Sequence, residues 1–306
     1  MQTYYSDTFP IPLPDGHRFP LAKYTLLRER LLREGVLRPD ELRLSPAASD
    51  EQLCQAHETE YVQRVVGGLL SEKEIRRIGF PWSPELVERS RRSVGGTIAA
   101  CRSALQDGIG VNLAGGTHHA YVDHGEGFCV FNDAAVAVRQ IQNQGLVRRT
   151  VILDLDVHQG NGSAAIFQDD PTVFTLSVHG AKNFPFHKES GSLDIALADG
   201  SGDEIYLDAV EQGVRAALDG DQPDLVIFLA GADPYKGDKL GRMAVSKTGL
   251  LARDRLVLET CRAKGLPLAI VLSGGYAHDI QDTVDIHFQT IRLAAEMYRE
   301  RQDDRL

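Results

Sequence analysis

Cysteine pairs, basic runs and long apolar stretches are all scarce in this chain, and each scarcity removes a class of protein. Cys54, Cys101, Cys129 and Cys261 are scattered, with no C-x-x-C pair. They suggest neither a disulfide framework nor a cysteine zinc site. No run rich in lysine or arginine occurs, and the net charge is −10, so no nucleic-acid partner is expected. Arg89, Arg91 and Arg92 read as the solvated face of a helix. The apolar run Leu225–Ala230 is far short of the roughly 20 residues that span a bilayer. Met1-Gln2-Thr3-Tyr4-Tyr5 lacks a basic segment followed by an apolar one, so no signal peptide is read there. A cytoplasmic protein without a membrane partner is the default expectation. Its acidic surface would tolerate or favour cationic substrates.

What the chain does contain is an alternation of apolar runs and helical patterns. Ile109–Leu113, Val151–His158, Val173–His179, Leu225–Ala230 and Leu268–Ser273 are candidate strands. Most are rich in Val, Ile and Leu without polar alternation, as in strands covered on both faces. Between them, Leu53, Ala56, Val62, Val65, Val66 and Leu69 fit one helical face, with Ser49 or Asp50 as cap. Tyr206, Val210, Val214 and Leu218 repeat every four residues. Long helices are predicted over 84–106, with Pro84 in the first turn, and from Thr283 to near the C-terminus. No internal repeat or linker is visible, so residues 1–306 read as one domain. The expected fold class is α/β, a three-layer α/β/α arrangement around a mostly parallel sheet. Such sheets place their sites beyond the carboxyl ends of the strands.

Four predicted strand ends carry polar groups. They are Gly115-Gly116-Thr117-His118-His119, Asp154-Leu155-Asp156-Val157-His158, Gly231-Ala232-Asp233 and Ser273-Gly274-Gly275-Tyr276. Buried carboxylates are rare unless paired or metal-bound. On a strand, Asp154, Asp156 and His158 would share one face, with Asp156 and His158 about 6.6 Å apart at Cα. Two side chains so spaced can converge on one metal.

These segments resemble those of the histone deacetylase-like zinc amidohydrolases of the arginase/deacetylase superfamily. Gly127-Phe128-Cys129-Val130-Phe131-Asn132 extends the likeness, which spans nearly the whole chain. His158-Gln159-Gly160-Asn161-Gly162 and Gly237-Asp238-Lys239-Leu240-Gly241 are most similar to the class IV branch and its bacterial relatives. The resemblance implies that Asp156, His158 and Asp233 ligate the metal. It implies that His119 is the general base and later acid, with His118 as electrostatic partner. Asp154 would orient His118, and Asn161, an aspartate in many relatives, would orient His119. Tyr276 would donate a hydrogen bond to the oxyanion. Gly127, Phe128 and Phe184 would line the substrate channel. A potassium ion is implied beside Asp154, Asp156, His158, Ser177 and Val178, partly through backbone carbonyls. An Asp2His set holds no thiolate, so Fe2+ or another divalent ion remains open beside Zn2+.

The expected activity is hydrolysis of an amide, releasing an acetyl or longer acyl group from acyl-lysine. Alternatives are an acylated polyamine or another small amide as substrate, or a non-catalytic binding module on the same fold. A two-metal arginase-like hydrolase would need more carboxylates. Gly79-Phe80-Pro81-Trp82 is read either as a channel rim or as a segment whose Trp82 is buried against a helix. Cys129 is read as a packed small hydrophobe. His17, His57, His124, His179, His187, His278 and His287 carry no site signature.

Overall fold

The structure, a computed structural model, describes residues 1–220 and 222–303. Its strands are β1 (Gln2–Tyr5), β2 (Leu42–Leu44), β3 (Ile109–Asn112), β4 (Thr150–Asp154), β5 (Val173–Gly180), β6 (Leu193–Leu197), β7 (Leu225–Leu229) and β8 (Leu268–Val271). They form one sheet in the order β2-β1-β3-β8-β7-β4-β5-β6. Every pairing is parallel. The central strands are buried on both faces, as their apolar runs require. Val151 and Leu153 of β4 join one hydrophobic cluster, whereas Ile152 joins the other. Val226 and Phe228 of β7 likewise face away from Ile227 and Leu229. Each such side chain contributes about 1.5–3 kcal/mol on burial. Among the described residues, no helix is long and apolar enough to cross a membrane.

Local chemistry redraws several expected elements. β4 stops at Asp154 and does not run on to His158. The Asp154 carboxylate accepts the Asp156 N–H at 3.2 Å, and Asp156 accepts the His158 N–H at 2.9 Å. Side-chain oxygens thus capture the N–H groups that a sheet ladder would use. Asp156 and His158 meet through a side-chain-braced turn, not on a strand face.

The pattern read as one helix over 53–69 is two, Asp50–Leu53 and Thr59–Gly67. Ser49 caps the first, accepting the Gln52 N–H at 3.2 Å. The break brings in buried His57, whose Nδ1 lies 2.8 Å from Tyr121 O and whose Nε2 accepts the Asn132 N–H at 2.9 Å. Burial pushes its pKa down to about 4.

Arg89, Arg91 and Arg92 are not a solvated face. Arg89 is buried and donates to Ser6 O, and its guanidinium lies 4.8 Å from the Tyr24 ring centroid. Arg91 and Arg92 are half-buried and donate to Ala48 O and Ser45 O, each at 2.8 Å. The basic triplet pins the N-terminal segments to helix Pro84–Asp107.

Candidate active site

The carboxyl ends of β3, β4, β7 and β8 share one edge of the sheet, and the loops after them meet there. Tight backbone contact makes this convergence work. Gly116 has φ +74°, and a Cβ there would lie 2.4 Å from Ser273. At Gly274 a Cβ would lie 1.9 Å from Asp233 Oδ2. Both positions require glycine because neighbouring loops occupy the space of a side chain.

Asp156, His158 and Asp233 come together buried, with ligand-type atoms all within 4.8 Å of one another. His158 Nδ1 faces both carboxylates, 2.9 Å from Asp156 Oδ1 and 3.2 Å from Asp233 Oδ2. Ser273 Oγ and Gly274 N each donate to Asp156 Oδ2 at 2.7 Å, and Val157 N donates to Asp233 Oδ1 at 2.9 Å. Within this cluster, Asp233 Oδ2 is the carboxylate oxygen buried with no hydrogen-bond partner. Burial, then the Asp156 charge, raises the Asp233 pKa. Two buried carboxylates, one of them with an orphaned oxygen, and one imidazole clustered within ligand distance fit a divalent cation.

The two histidines stand beside this cluster, their ring centroids 4.1 Å apart. His118 Nδ1 lies 2.6 Å from Asp154 Oδ2. Burial opposes a charge on His118, but Asp154 and then Asp156 outweigh it and raise its pKa to about 9. His119 Nδ1 lies 2.6 Å from Asn161 Oδ1. The Asn161 amide nitrogen donates to Tyr121 Oη at 3.0 Å and to Glu126 Oε1 at 2.5 Å. That pair of acceptors fixes the amide orientation, so Asn161 accepts from His119 Nδ1–H and leaves Nε2 as the lone-pair nitrogen. Burial first, then His118 and His158, holds His119 well below the usual histidine range.

A cavity of about 380 Å³ opens above His119 and His158, lined by Gly127, Phe128, Phe184 and Tyr276. The Phe184 ring stands perpendicular to His119, with centroids 4.9 Å apart. Phe128 is backed by Phe19 and Phe80, at 5.5 and 5.2 Å. His17 braces the same wall, its Nε2 2.9 Å from Gly79 O. A smaller inner cavity of about 50 Å³ adjoins His118, Asp156, Cys129 and Tyr276. Burial raises Tyr276 well above the ordinary phenol range, with Asp233 adding to the effect. Trp82 does not line the mouth; its Nε1 donates to Val65 O at 2.7 Å, anchoring helix Thr59–Gly67. The acidic surface expected to favour cationic substrates does not extend here. The mouth carries Arg18, Arg76, Arg77, Lys182 and Arg242, and no acid lines it. Of the positions expected at a potassium site, Asp154 and Ser177 pair side by side between β4 and β5, with Val178 next along β5. Gln159 turns away from the cluster to Glu189 O and Asp194 Oδ1, each at 2.7 Å.

Several supporting residues were not foreseen. Arg253 is fully buried, with Nε 2.8 Å from Asp254 Oδ1. Its Nη1 donates to Gly231 O at 2.6 Å and Leu155 O at 3.4 Å, tying together the loops that carry Asp156 and Asp233. Asp133 accepts from the Gly116 and Thr117 N–H groups at 3.1 and 2.7 Å and so holds the turn before His118. Lys23 is buried, donates to Ser273 O and Gly275 O at 3.4 and 3.3 Å, and lies 5.3 Å from the Tyr276 ring centroid. Asp238 accepts the Tyr276 N–H at 2.6 Å.

Fold and cluster together define an all-parallel α/β protein with a carboxylate–histidine cluster, a candidate metal site, at the carboxyl edge of its sheet. The chain belongs to the histone deacetylase family, matching the histone deacetylase domain over residues 17–291. It is 46% identical over 294 residues to an uncharacterised protein of Picosynechococcus, covering 96% of this chain and 98% of that one. It is 31% identical over 255 residues to the histone deacetylase-like amidohydrolase of Pseudomonas aeruginosa, covering 78% of this chain and 66% of that one. A solved HDAC homologue complexed with SAHA superposes with a TM-score of 0.84 at 23% identity, covering 97% of this chain and 84% of that one. At that identity the likeness speaks for the fold.

Proposed function

We propose that the protein is a metal-dependent amide hydrolase that removes a short acyl group from acyl-lysine. The orphaned Asp233 Oδ2, buried in the Asp156–His158–Asp233 cluster beside a neutral His119, carries this reading. These three residues would hold the cation, zinc being the first choice and Fe2+ open. When bound, it would polarise the substrate carbonyl and acidify a water. His119 then takes the water proton on Nε2 while Asn161 holds its Nδ1–H. A histidine that stays neutral at physiological pH suits a base. His118, whose charged form is favoured by the Asp154 carboxylate 2.6 Å away, would stabilise the negative charge that develops. Tyr276 keeps its phenolic proton and donates it in a hydrogen bond to the oxyanion. The C–N bond breaks as the histidine pair returns a proton to the leaving amine.

Phe128 and Phe184 would flank the aliphatic lysine stem. The inner cavity of about 50 Å³ suits an acetyl methyl better than a long chain. A structural potassium beside Asp154 and Ser177 is part of the same proposal, supported by their adjacent positions in the sheet. The reading is tested by acetate release from an acetyl-lysine peptide with and without chelator. Chelator-sensitive release is expected; a metal-replete protein that releases nothing would leave a binding role.

Asn161 offers a pH test. An aspartate in its place would put a carboxylate against His119 Nδ1 and stabilise the imidazolium. The base works only when neutral, so raising its pKa moves the acidic limb of the rate profile upward. Asn161→Asp is therefore expected to lose activity at a higher pH than the parent, read from kcat/KM against pH. An unchanged or lowered acidic limb would contradict the assignment. The Glu126 carboxylate, 2.5 Å from the Asn161 amide, explains an amide at this position: a second carboxylate there would face like charge.

A further inference from the structure

The mouth of the channel contradicts the charge of the chain. Net charge is −10, yet the side chains of Arg18, Arg76, Arg77, Lys182 and Arg242 line the opening without an acid among them. All five are exposed. Two have partners on the outer surface: Arg76 pairs with Glu72 at 3.2 Å and Arg242 with Asp199 at 3.3 Å. Arg18, Arg77 and Lys182 have no ion-pair partner among the described residues.

The backbone beneath these three is tied into the channel wall. Arg77 O accepts the Gly127 N–H at 3.1 Å, and Ile78 O accepts the Phe128 N–H at 2.7 Å. Arg77 thus rides on the strap that carries the Phe128 wall. Arg18 follows His17, whose Nε2 lies 2.9 Å from Gly79 O and whose ring stacks on Phe80 at 5.7 Å. Lys182 precedes buried Asn183, whose Nδ2 donates to Leu240 O at 2.7 Å and whose Oδ1 accepts the Arg242 N–H at 3.3 Å. Lys182 and Arg242 are therefore held on two loops stitched together across the opening. The cations come from segments far apart in the chain, on two hydrogen-bonded frames, one carrying Arg18 and Arg77 and the other Lys182 and Arg242.

We infer that the mouth selects acylated amines whose neighbouring groups are carboxylates. The inference rests on the amide-hydrolase reading and names its substrate class. An acyl-lysine stem between Phe128 and Phe184 leaves the rest of its molecule at the cationic opening. Carboxylates there gain Coulomb energy, and guanidinium groups bind them in forked geometry. Ammonium groups there meet like charge, which counts against acylated polyamines. The carboxylates have two sources of the same chemistry: acidic residues flanking acyl-lysine in a protein, or the α-carboxylate of a free acylated amino acid.

The test is steady-state hydrolysis by the metal-replete full chain. The substrates are acetyl-lysine peptides flanked by aspartate, serine or lysine, with free Nε-acetyl-lysine and a monoacetylated diamine alongside. The aspartate-flanked peptide should exceed the serine-flanked one by about tenfold in kcat/KM at low salt, the advantage shrinking as ions screen the rim. The lysine-flanked peptide and the acetylated diamine should fall below the neutral peptide. Free Nε-acetyl-lysine outrunning every peptide would assign the carboxylate to the small molecule. The ratio of acidic to neutral substrate should reverse in the R18E/R77E/K182E variant; a general loss of folding would not reverse a ratio. Equal rates across the three flanks, or a ratio insensitive to salt, would overturn the inference. If no amide in the panel turns over, the hydrolase reading itself fails. Fluorescence anisotropy of the same labelled peptides then decides the rim alone: tighter binding of the aspartate-flanked peptide upholds it, and equal binding overturns it.

Discussion

His119→Ala is expected to lower turnover by about 100- to 10,000-fold while the protein keeps its metal. The size follows from the loss of a neutral imidazole nitrogen positioned beside the cluster. His119 Nδ1 is committed to Asn161 at 2.6 Å, so Nε2 is the atom free to take a proton. His118 does not substitute for it. Its Nδ1 lies 2.6 Å from the Asp154 carboxylate, which favours its charged form. The candidate metal cluster Asp156, His158 and Asp233 does not include His119, so metal content should match the parent. Both quantities are measurable on one preparation, by elemental analysis and by amine release. A variant with normal metal content and near-normal turnover would refute the assignment.

The second large effect is at Tyr276. Tyr276→Phe removes one hydroxyl and should cost about 100- to 1,000-fold in rate, the usual consequence of losing an oxyanion donor. The ring remains packed, with Phe128 and Phe19 at centroid distances of 6.0 and 6.2 Å. Its backbone stays anchored through Asp238 at 2.6 Å. Folding and metal binding should therefore be unchanged, and the loss should fall on kcat. A fully active Phe variant would mean that the oxyanion is stabilised elsewhere.

Much of the candidate site stands out in one dimension because its residues break local rules. Asp154 and Asp156 interrupt an apolar run, and a His-His pair follows two glycines; neither pattern suits a bland core. Alternation on a strand predicts a shared face, whereas carboxylates capturing the Asp156 and His158 N–H groups bend the chain after Asp154. The central strands were legible because burial on both faces writes a continuous Val-Ile-Leu signal. β1, β2 and β6 were not: β1 is Gln-Thr-Tyr-Tyr, β2 is a three-residue edge strand, and β6 at the opposite edge is largely half-buried.

Residues that act through tertiary contact left no local signal. Arg253 lies beside Asp254 and Arg255 in helix Lys247–Ala263, and nothing in that order separates buried Arg253 from Arg255, which is half exposed. The same holds for Lys23 and for the rim cations, which sit at positions 18, 76, 77, 182 and 242 and meet only in the fold. Overall net charge pointed the other way, because an average over the chain carries no information about one opening.

The central claim is that a single bound divalent metal at Asp156, His158 and Asp233 is required for amide hydrolysis. Its most direct test is a zinc titration of chelated protein, following bound metal and acetyl-lysine peptide hydrolysis in the same samples. Hydrolysis should be absent at the start and rise in proportion to bound zinc until one ion per chain is reached. Full activity in the metal-free protein, or one tightly bound ion per chain with no hydrolysis, would contradict the account.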